Sequence, residues 1–291
     1  MTLGCVVLAH NDPRHLRRLV AALDPCPVYV HCDLRTPDST FGQMVGGLPP
    51  RCLVLDRVAT GWATWGIVEA EIVGYRAALA DPGVSHVAVL SGSDYPLAST
   101  SEISAFLAQH RGESFTSFHS LPYPPWGRSG GIARIRFRHW AYGKHMIRLP
   151  VPRRLPSGMV LAGGSMSKIL ARKHAEAVVA AYDANPGLVR FWRRTWCPDE
   201  TFVPSVLSTP EFAPGWAQEH VNRSTWWIGW DDSAGKSPPW LGIEQFDTLA
   251  RARAAGTDGI GYAFARKFAT AHDTTVLDAI DRELRGASGG E

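Results

Sequence analysis

The sequence has no long hydrophobic run and no paired cysteines, and each lack argues against a class of protein. No apolar stretch approaches the ~20 residues that a transmembrane helix requires, so we expect no membrane span. The five cysteines include no C-x-x-C pair, and their odd number does not indicate a disulfide framework. The apolar N-terminal run lacks the basic segment and cleavage site of a signal peptide. We therefore predict a cytoplasmic protein.

The chain also lacks an excess of either charge. Its 30 basic and 27 acidic residues give a net charge of +3 with no long run of one sign, so we expect no nucleic-acid partner. With 291 residues, of which 45% are hydrophobic, the chain can bury a large core.

Several catalytic motifs are missing as well. There is no H-E-x-x-H and no G-x-G-x-x-G. No Asp-x-Asp occurs, although many enzymes that transfer sugars from nucleotide diphosphates use such a pair to hold a divalent cation. We therefore expect no metal ligands and no metal cofactor, and a diphosphate ligand would need another source of positive charge.

The first 112 residues alternate short apolar runs with helical patterns, which predicts an α/β fold with a parallel sheet. Asn11 or Asp12 can cap the first helix, and Ser101 is predicted to cap a later one. Ligands of such sheets bind at the carboxyl ends of the strands. His10, Asp33 and Asp94 each follow a predicted strand and are therefore candidate binding residues.

The remaining chain is less regular. Residues 119–163 are rich in Pro, Gly, Arg and aromatics, which indicates either one wall of a pocket or a surface loop. A helical pattern resumes from the sequence SMSKILARKHAEAVV.

The sequence WCPDETF (196–202) contains two adjacent carboxylates after a proline. Asp199 and Glu200 could complement the dipole of a helix that begins here. Alternatively, one of them could face a pocket and accept the proton of an attacking hydroxyl.

The sequence FARKFA (264–269) places two cations between phenylalanines. Arg266 and Lys267 could neutralise a diphosphate, or they could be exposed at the start of a helix. Trp230, beside Asp231 and Asp232, could form a platform for a sugar, while Trp226 and Trp227 are expected in the core.

Taken together, these stretches resemble the core-2/I-branching β-1,6-N-acetylglucosaminyltransferase and peptide O-xylosyltransferase family, glycosyltransferase family 14. The similar stretches follow the family order: LAHNDPRHLRRLVAAL with VYVHCDLRTP, WATWGIVEAEIVGYRAAL, HVAVLSGSDYPLAS, RIRFRHW, LAGGSMSKILARKHAEAVV, WCPDETFVPSVL, WWIGWDD with SPPWLGIEQFDTL, and FARKF.

The resemblance implies one GT-A-like domain over 1–291, with a nucleotide-binding half (1–112) and an acceptor and catalytic half (113–291). It implies inverting, metal-independent transfer of an N-acetylglucosamine- or xylose-class sugar from a UDP-sugar to a hydroxyl of a glycan, peptide or small natural product. By position, Glu200 matches the catalytic base. The other implied positions are Arg266, Lys267, Asp33, His10 and Asp94 for the donor, and Trp230, Asp232, Ser165, Gly164 and Arg134 for the acceptor.

The sequence departs from the family pattern at several points. Ala269 follows FARKF where members usually have Asp, and Trp226 and Trp227 replace the usual Arg-Tyr. The paired cysteines and the membrane anchor of the animal enzymes do not appear, which suggests a short bacterial member. Two alternatives are a retaining or hydrolytic nucleotide-sugar enzyme and a non-catalytic carbohydrate-binding protein with a relict fold.

Overall fold

The computed structural model describes residues 2–142, 145–230, 237–256 and 260–286. The strands are β1 (Thr2–Ala9), β2 (Val28–Cys32), β3 (Cys52–Val54), β4 (Val84–Ser91), β5 (Asp94–Pro96), β6 (Ser114–Thr116), β7 (Phe118–Ser120), β8 (Phe137–Tyr142), β9 (His145–Pro152), β10 (Ala162–Gly164), β11 (Lys168–Ala171), β12 (His220–Asn222), β13 (Trp226–Ile228) and β14 (Phe264–Arg266).

Helices flank these strands. They are α1 (Pro13–Ala22), α2 (Asp38–Val45), α3 (Trp65–Ala80), α4 (Thr100–Gln109), α5 (Ile132–Arg136), α6 (Arg172–Ala184), α7 (Pro186–Trp192), α8 (Phe202–Ser208), α9 (Trp216–Glu219), α10 (Phe246–Ala254) and α11 (Thr275–Ala279). Short 3₁₀ turns cover Pro124–Trp126, Pro198–Glu200 and Ile243–Gln245. The last helix continues as a π turn over Ile280–Arg285.

Within the described part of the chain, seven strands form the central sheet in the order β12-β6-β11-β4-β1-β2-β3. The pairs of β1 with β2 and β4, of β2 with β3, and of β6 with β12 are parallel, whereas β11 is antiparallel to both of its neighbours. The buried hydrophobic side chains of these strands and helices form two core clusters. The predicted α/β class, with a mainly parallel sheet and flanking helices, is confirmed.

The first helix begins as the sequence indicates. Asp12 is its N-cap and accepts a hydrogen bond from the backbone N–H of His15 at 3.0 Å, while Pro13 occupies the first helical position. The prediction that Ser101 caps α4 is wrong. Ser99 caps it, and a capping box links Ser99 with Glu102.

Two stretches differ from their predicted form. The sequence KILA, assigned to a helix, is the fully buried strand β11. The stretch 119–163, predicted to be irregular, contains α5 and an antiparallel hairpin of β8 with β9. Its exposed strand β9 contains Pro150 and Pro152, which are tolerated on a sheet edge. Because proline is rare in strands, the sequence pattern did not predict a strand here.

A separate three-stranded sheet, in the order β13-β14-β5, lies beside the central one in the described structure. Its strand β14 carries Phe264 and Arg266, so the helix start considered for this segment is wrong. The register sets Arg266 opposite Asp94 of β5. This small sheet therefore brings two predicted donor-side residues together from positions far apart in sequence.

Candidate functional site

Glu200 and Arg134 form an ion pair between the 3₁₀ turn Pro198–Glu200 and helix α5. Arg134 Nη1 donates to Glu200 Oε2, and the side chains retain 19% and 35% of their exposure, so the pair is partly exposed and does not belong to the core. The backbone N–H of Trp196 also donates to the carbonyl of Arg134 at 3.1 Å. The structure thus joins the predicted base to a predicted acceptor-side residue.

Two indoles contact the Arg134 guanidinium. Its Cζ lies 4.1 Å from the ring centroid of Trp126 and 5.2 Å from that of Trp196, distances typical of cation–π contacts. Trp126 is held in turn by small residues, because a Cβ added at Gly163 would lie 2.5 Å from its ring. Rigid aromatic neighbours therefore restrict the guanidinium, and through it the Glu200 carboxylate.

Asp199, the other acid of the motif, is buried. Its Oδ1 has no hydrogen-bond partner in the described structure, so that oxygen does not cap a helix. Burial, followed by the negative charges of Glu200 and Glu71, raises its pKa to about 7, with Lys168 opposing. The two acids therefore differ in environment: Glu200 is accessible and paired, while Asp199 is enclosed.

A buried ion pair that the sequence reading missed lies close to Asp199. Lys168 Nζ of β11 contacts Glu71 Oε1 of α3 at 2.5 Å, and both side chains are fully buried. Tyr75 Oη also donates to Glu71 Oε1. The sequence does contain one signal of this pair. Glu71 is an acidic residue within the apolar stripe of α3, together with Val68, Ile72 and Tyr75, and a buried acid there requires a partner.

Asp94 is fully buried in the small sheet of β13, β14 and β5. It accepts hydrogen bonds from Ser91 Oγ at 2.5 Å, from the Ser91 backbone N–H at 3.0 Å and from Trp226 Nε1 at 2.9 Å. Arg266 Nε lies 3.6 Å from Asp94 Oδ1, an ion pair rather than a hydrogen bond. Asp94 therefore orients Arg266 while remaining out of solvent, and Trp226 is a core residue as predicted.

Lys267, adjacent to Arg266, points toward the surface. Its Nζ donates to Ser237 Oγ at 2.8 Å and lies 4.2 Å from the ring centroid of Trp240. Burial and the charge of Arg266 lower its pKa from the usual lysine value. Trp240 also lines a cavity of about 480 Å³, together with Asn11, Asp12, Ser93, Ala269, Ala271 and His272. Lys267 therefore contacts one wall residue of a cavity large enough for a ligand.

Asp33 lies at the carboxyl end of β2, as the sequence predicts. It accepts hydrogen bonds from the Arg35 backbone N–H at 2.9 Å, from Arg35 Nη2 at 2.7 Å and from the Thr60 N–H at 3.1 Å. Burial raises its pKa, but these hydrogen bonds outweigh that effect, and the pKa lies below its usual value. Asp33 is thus ionised and already organises its own loop.

His10 lies within electrostatic range of both Asp33 and Lys267. The desolvating surroundings lower its pKa from the usual value, Asp33 opposes this, and the charges of Arg35 and Lys267 add to the lowering. These groups are therefore close enough to act on one another. The carbonyl of His10 also accepts a hydrogen bond from Thr36 Oγ1 at 3.0 Å.

The other acceptor-side positions are more dispersed. Trp230 follows β13 and is 59% exposed, as a sugar platform would require. Gly164 packs against the backbone, because a Cβ there would lie 2.2 Å from the carbonyl oxygen of Ser117, and Ser165 Oγ accepts from the Ser167 N–H at 3.1 Å. These two residues thus have local structural roles. Asp232 lies outside the described residues.

The described residues form neither a metal-binding cluster nor a membrane-spanning helix. Across residues 2–142, 145–230, 237–256 and 260–286, no group of three or more His, Cys, Asp or Glu side chains could hold a metal ion. No helix in this described part of the chain has the length and apolar character needed to cross a membrane.

Comparison with known proteins identifies the family. The chain is 24% identical to human xylosyltransferase 2 over 296 residues, covering 94% of this chain and 32% of that protein. It is 29% identical to dog xylosyltransferase 1 over 138 residues, 47% of this chain and 14% of that protein. The chain thus spans about a third or less of these relatives.

A solved glucose-1-phosphate thymidylyltransferase from Bacillus anthracis aligns with 61% of this chain and 74% of its own, at 9% identity and a TM-score of 0.31, which is too low to support an argument. The family model for the core-2/I-branching enzyme matches residues 7–249. This match covers most of the sequence and includes the Glu200–Arg134 pair. The chain therefore belongs to the core-2/I-branching enzyme family.

Proposed function

We propose that this protein is an inverting, metal-independent glycosyltransferase with a GT-A-like fold that uses a UDP-sugar. The transferred sugar is of the N-acetylglucosamine or xylose class, and the acceptor is a hydroxyl of a glycan, a peptide or a small natural product. The observation that carries the proposal is the accessible Glu200 carboxylate, fixed by Arg134 in a chain of this family.

The donor occupies the edge of the sheet where His10 and Asp33 follow β1 and β2. Uridine contacts this edge, and the diphosphate lies against Arg266 and Lys267. Asp94 supports this arrangement, since its ion pair with Arg266 fixes the position of that guanidinium. Two cations supply the neutralisation that a divalent cation provides in other enzymes, in agreement with the lack of Asp-x-Asp.

The reaction is a single displacement. Glu200 accepts the proton of the acceptor hydroxyl, and the oxygen attacks the anomeric carbon from the face opposite UDP. The C–O bond to the diphosphate breaks, and UDP leaves with the bonding electron pair. The anomeric configuration is therefore inverted, and Trp230 supports the acceptor with its exposed indole.

Four measurements test this proposal. A thermal-shift screen over UDP-sugars identifies the donor, and NMR of the product gives its anomeric configuration, for which we expect inversion. Activity should survive EDTA, whereas strict dependence on manganese would contradict the proposed chemistry. Calorimetry with UDP distinguishes the alternative, since a purely carbohydrate-binding protein would bind sugar without nucleotide.

A further inference from the structure

A second cavity, of about 590 Å³, lies apart from the one beside Trp240. The beginning of α3, the strand β8 and the end of α7 with the segment after it border this cavity, which we call the arginine cleft. Its defining residues are Trp65, His139, Trp140, Arg190, Arg193 and Arg194. Its volume falls within the range of ligand-binding sites, roughly 300–1,000 Å³.

The arginine cleft has an excess of positive charge. Arg193 Nη2 pairs with Glu69 Oε1 at 2.5 Å, and Glu69 is the acidic residue that lines the cleft. Arg190 and Arg194 are both exposed, and Arg194 Cζ lies 5.4 Å from the ring centroid of Trp140. One carboxylate therefore faces three guanidinium groups, and a bound anion would compensate the difference.

His139 adds a buried polar group to the wall of the cleft. The residue is 5% exposed, and its Nδ1 has no hydrogen-bond partner in the described structure. Its backbone N–H donates to the carbonyl of Arg194 at 2.9 Å, which fixes β8 against the arginine-bearing segment. The wall of the cleft therefore contains a buried imidazole beside the segment that carries the guanidinium groups.

The cleft borders the chain segment that leads into the proposed catalytic base. Thr195 lines it, and the next residue, Trp196, contacts Arg134. Ala63 also lines it, and its carbonyl accepts a hydrogen bond from the N–H of Cys197 at 3.3 Å. Residues that line the cleft thus contact or directly precede the segment that holds Glu200 and its partner Arg134.

We propose that the arginine cleft binds the part of the acceptor beyond the reacting hydroxyl, and that this part is a saccharide carrying carboxylates, such as a uronic acid chain. This inference rests on the proposed function. Guanidinium groups pair with carboxylates in a bidentate manner, while the half-buried indole of Trp140 provides a flat apolar wall for a sugar ring. Adjacent cationic and aromatic walls favour a charged saccharide over an acidic peptide.

Calorimetry with a trisaccharide of galacturonic acid tests the inference in the absence of donor. The double variant Arg190→Ala/Arg194→Ala should bind at least about tenfold more weakly, because two charge-assisted contacts are lost. The variant Arg251→Ala/Arg282→Ala removes the same charge from exposed positions outside the cleft and should bind like the parent protein.

Three results would overturn the inference: no binding of the trisaccharide, equal affinity in the cleft variant, or tighter binding of a triglutamate peptide. Circular dichroism checks folding, and Arg190→Gln/Arg194→Gln replaces the alanine variant if that fails to fold. A separate titration with UDP tests the proposed function. A protein that binds the trisaccharide through these arginines but does not bind UDP would refute that function and leave the saccharide site standing.

Discussion

Arg134 and Glu200 form an ion pair that links helix α5 to the 3₁₀ turn of the PDE motif, and two indoles contact the guanidinium. A surface ion pair of flexible side chains contributes little to stability. Here Trp126 and Trp196 restrict the arginine, so the pair can orient a carboxylate. Its expected role is therefore in the reaction rather than in folding.

Replacing Arg134 tests this role. We expect Arg134→Ala to lower kcat by about 10- to 100-fold, because a freely rotating carboxylate loses its reactive orientation. Arg134→Lys should recover only part of the loss, since an ammonium group keeps the charge without the planar stacking surface. Arg136→Ala, an exposed change on the same helix, is the control in steady-state kinetics. Equal kcat values for Arg134→Ala and the control would contradict the role.

Asp199 makes stability depend on pH. Its pKa, usually near 3.8, is raised to about 7 in the folded protein by burial and by the charge of Glu200. The folded state therefore binds the carboxyl proton of Asp199 more tightly than the unfolded state does. The resulting contribution to the free energy of unfolding is fully present below the unfolded pKa, and it is lost as pH rises to about 7. The loss is on the order of 4 kcal/mol.

The variant Asp199→Asn removes this titration. Its free energy of unfolding relative to the parent protein should increase between pH 5 and pH 8, as measured by urea denaturation at both values. Asp38→Asn, at a carboxylate whose side chain is 98% exposed, should show no such change. A constant difference between Asp199→Asn and the parent at both pH values would show that Asp199 is already ionised.

The buried pair of Lys168 and Glu71 gives a prediction about stability. Lys168→Met leaves the Glu71 charge buried without its partner and should lower the free energy of unfolding by roughly 3–5 kcal/mol. The double variant Glu71→Gln/Lys168→Met removes both charges and should be more stable than Lys168→Met alone. Urea denaturation of the four proteins of this cycle measures the coupling, and strictly additive effects would argue against a functional ion pair.

The cationic pair of β14 gives a prediction about nucleotide binding. Arg266→Ala/Lys267→Ala should abolish UDP binding in calorimetry, because both neutralising charges are lost. Arg251→Ala/Arg282→Ala lowers the net charge equally and should bind UDP normally. If the Arg266 and Lys267 substitutions left the affinity unchanged, the diphosphate site would have to lie elsewhere.

The sequence predicts the elements of the first 112 residues well because they are built from local signals. Alternating strands and helices, the Asp12 cap and the strand-end position of Asp33 are each visible within a few residues. These elements keep their predicted types in the structure. The prediction of one domain with two halves stays a prediction.

The features that the sequence did not predict depend on contacts between residues far apart in the chain. The strand KILA is four residues long and buried on both faces, so its apolar pattern does not differ from that of the helix that follows it. The contact of Lys168 with Glu71 joins residues almost a hundred positions apart, which no local pattern encodes. The same holds for Arg134 with Glu200, which the family resemblance assigned to one site only by position.

The substitution Glu200→Gln tests the central claim most directly. We expect transfer to fall by at least about 100-fold, the range for loss of a general base, while calorimetry shows unchanged UDP affinity. Glu211→Gln, at an exposed carboxylate, serves as the control and should transfer sugar at the parent rate. If Glu200→Gln kept turnover within about threefold of the parent protein, Glu200 would not be the base.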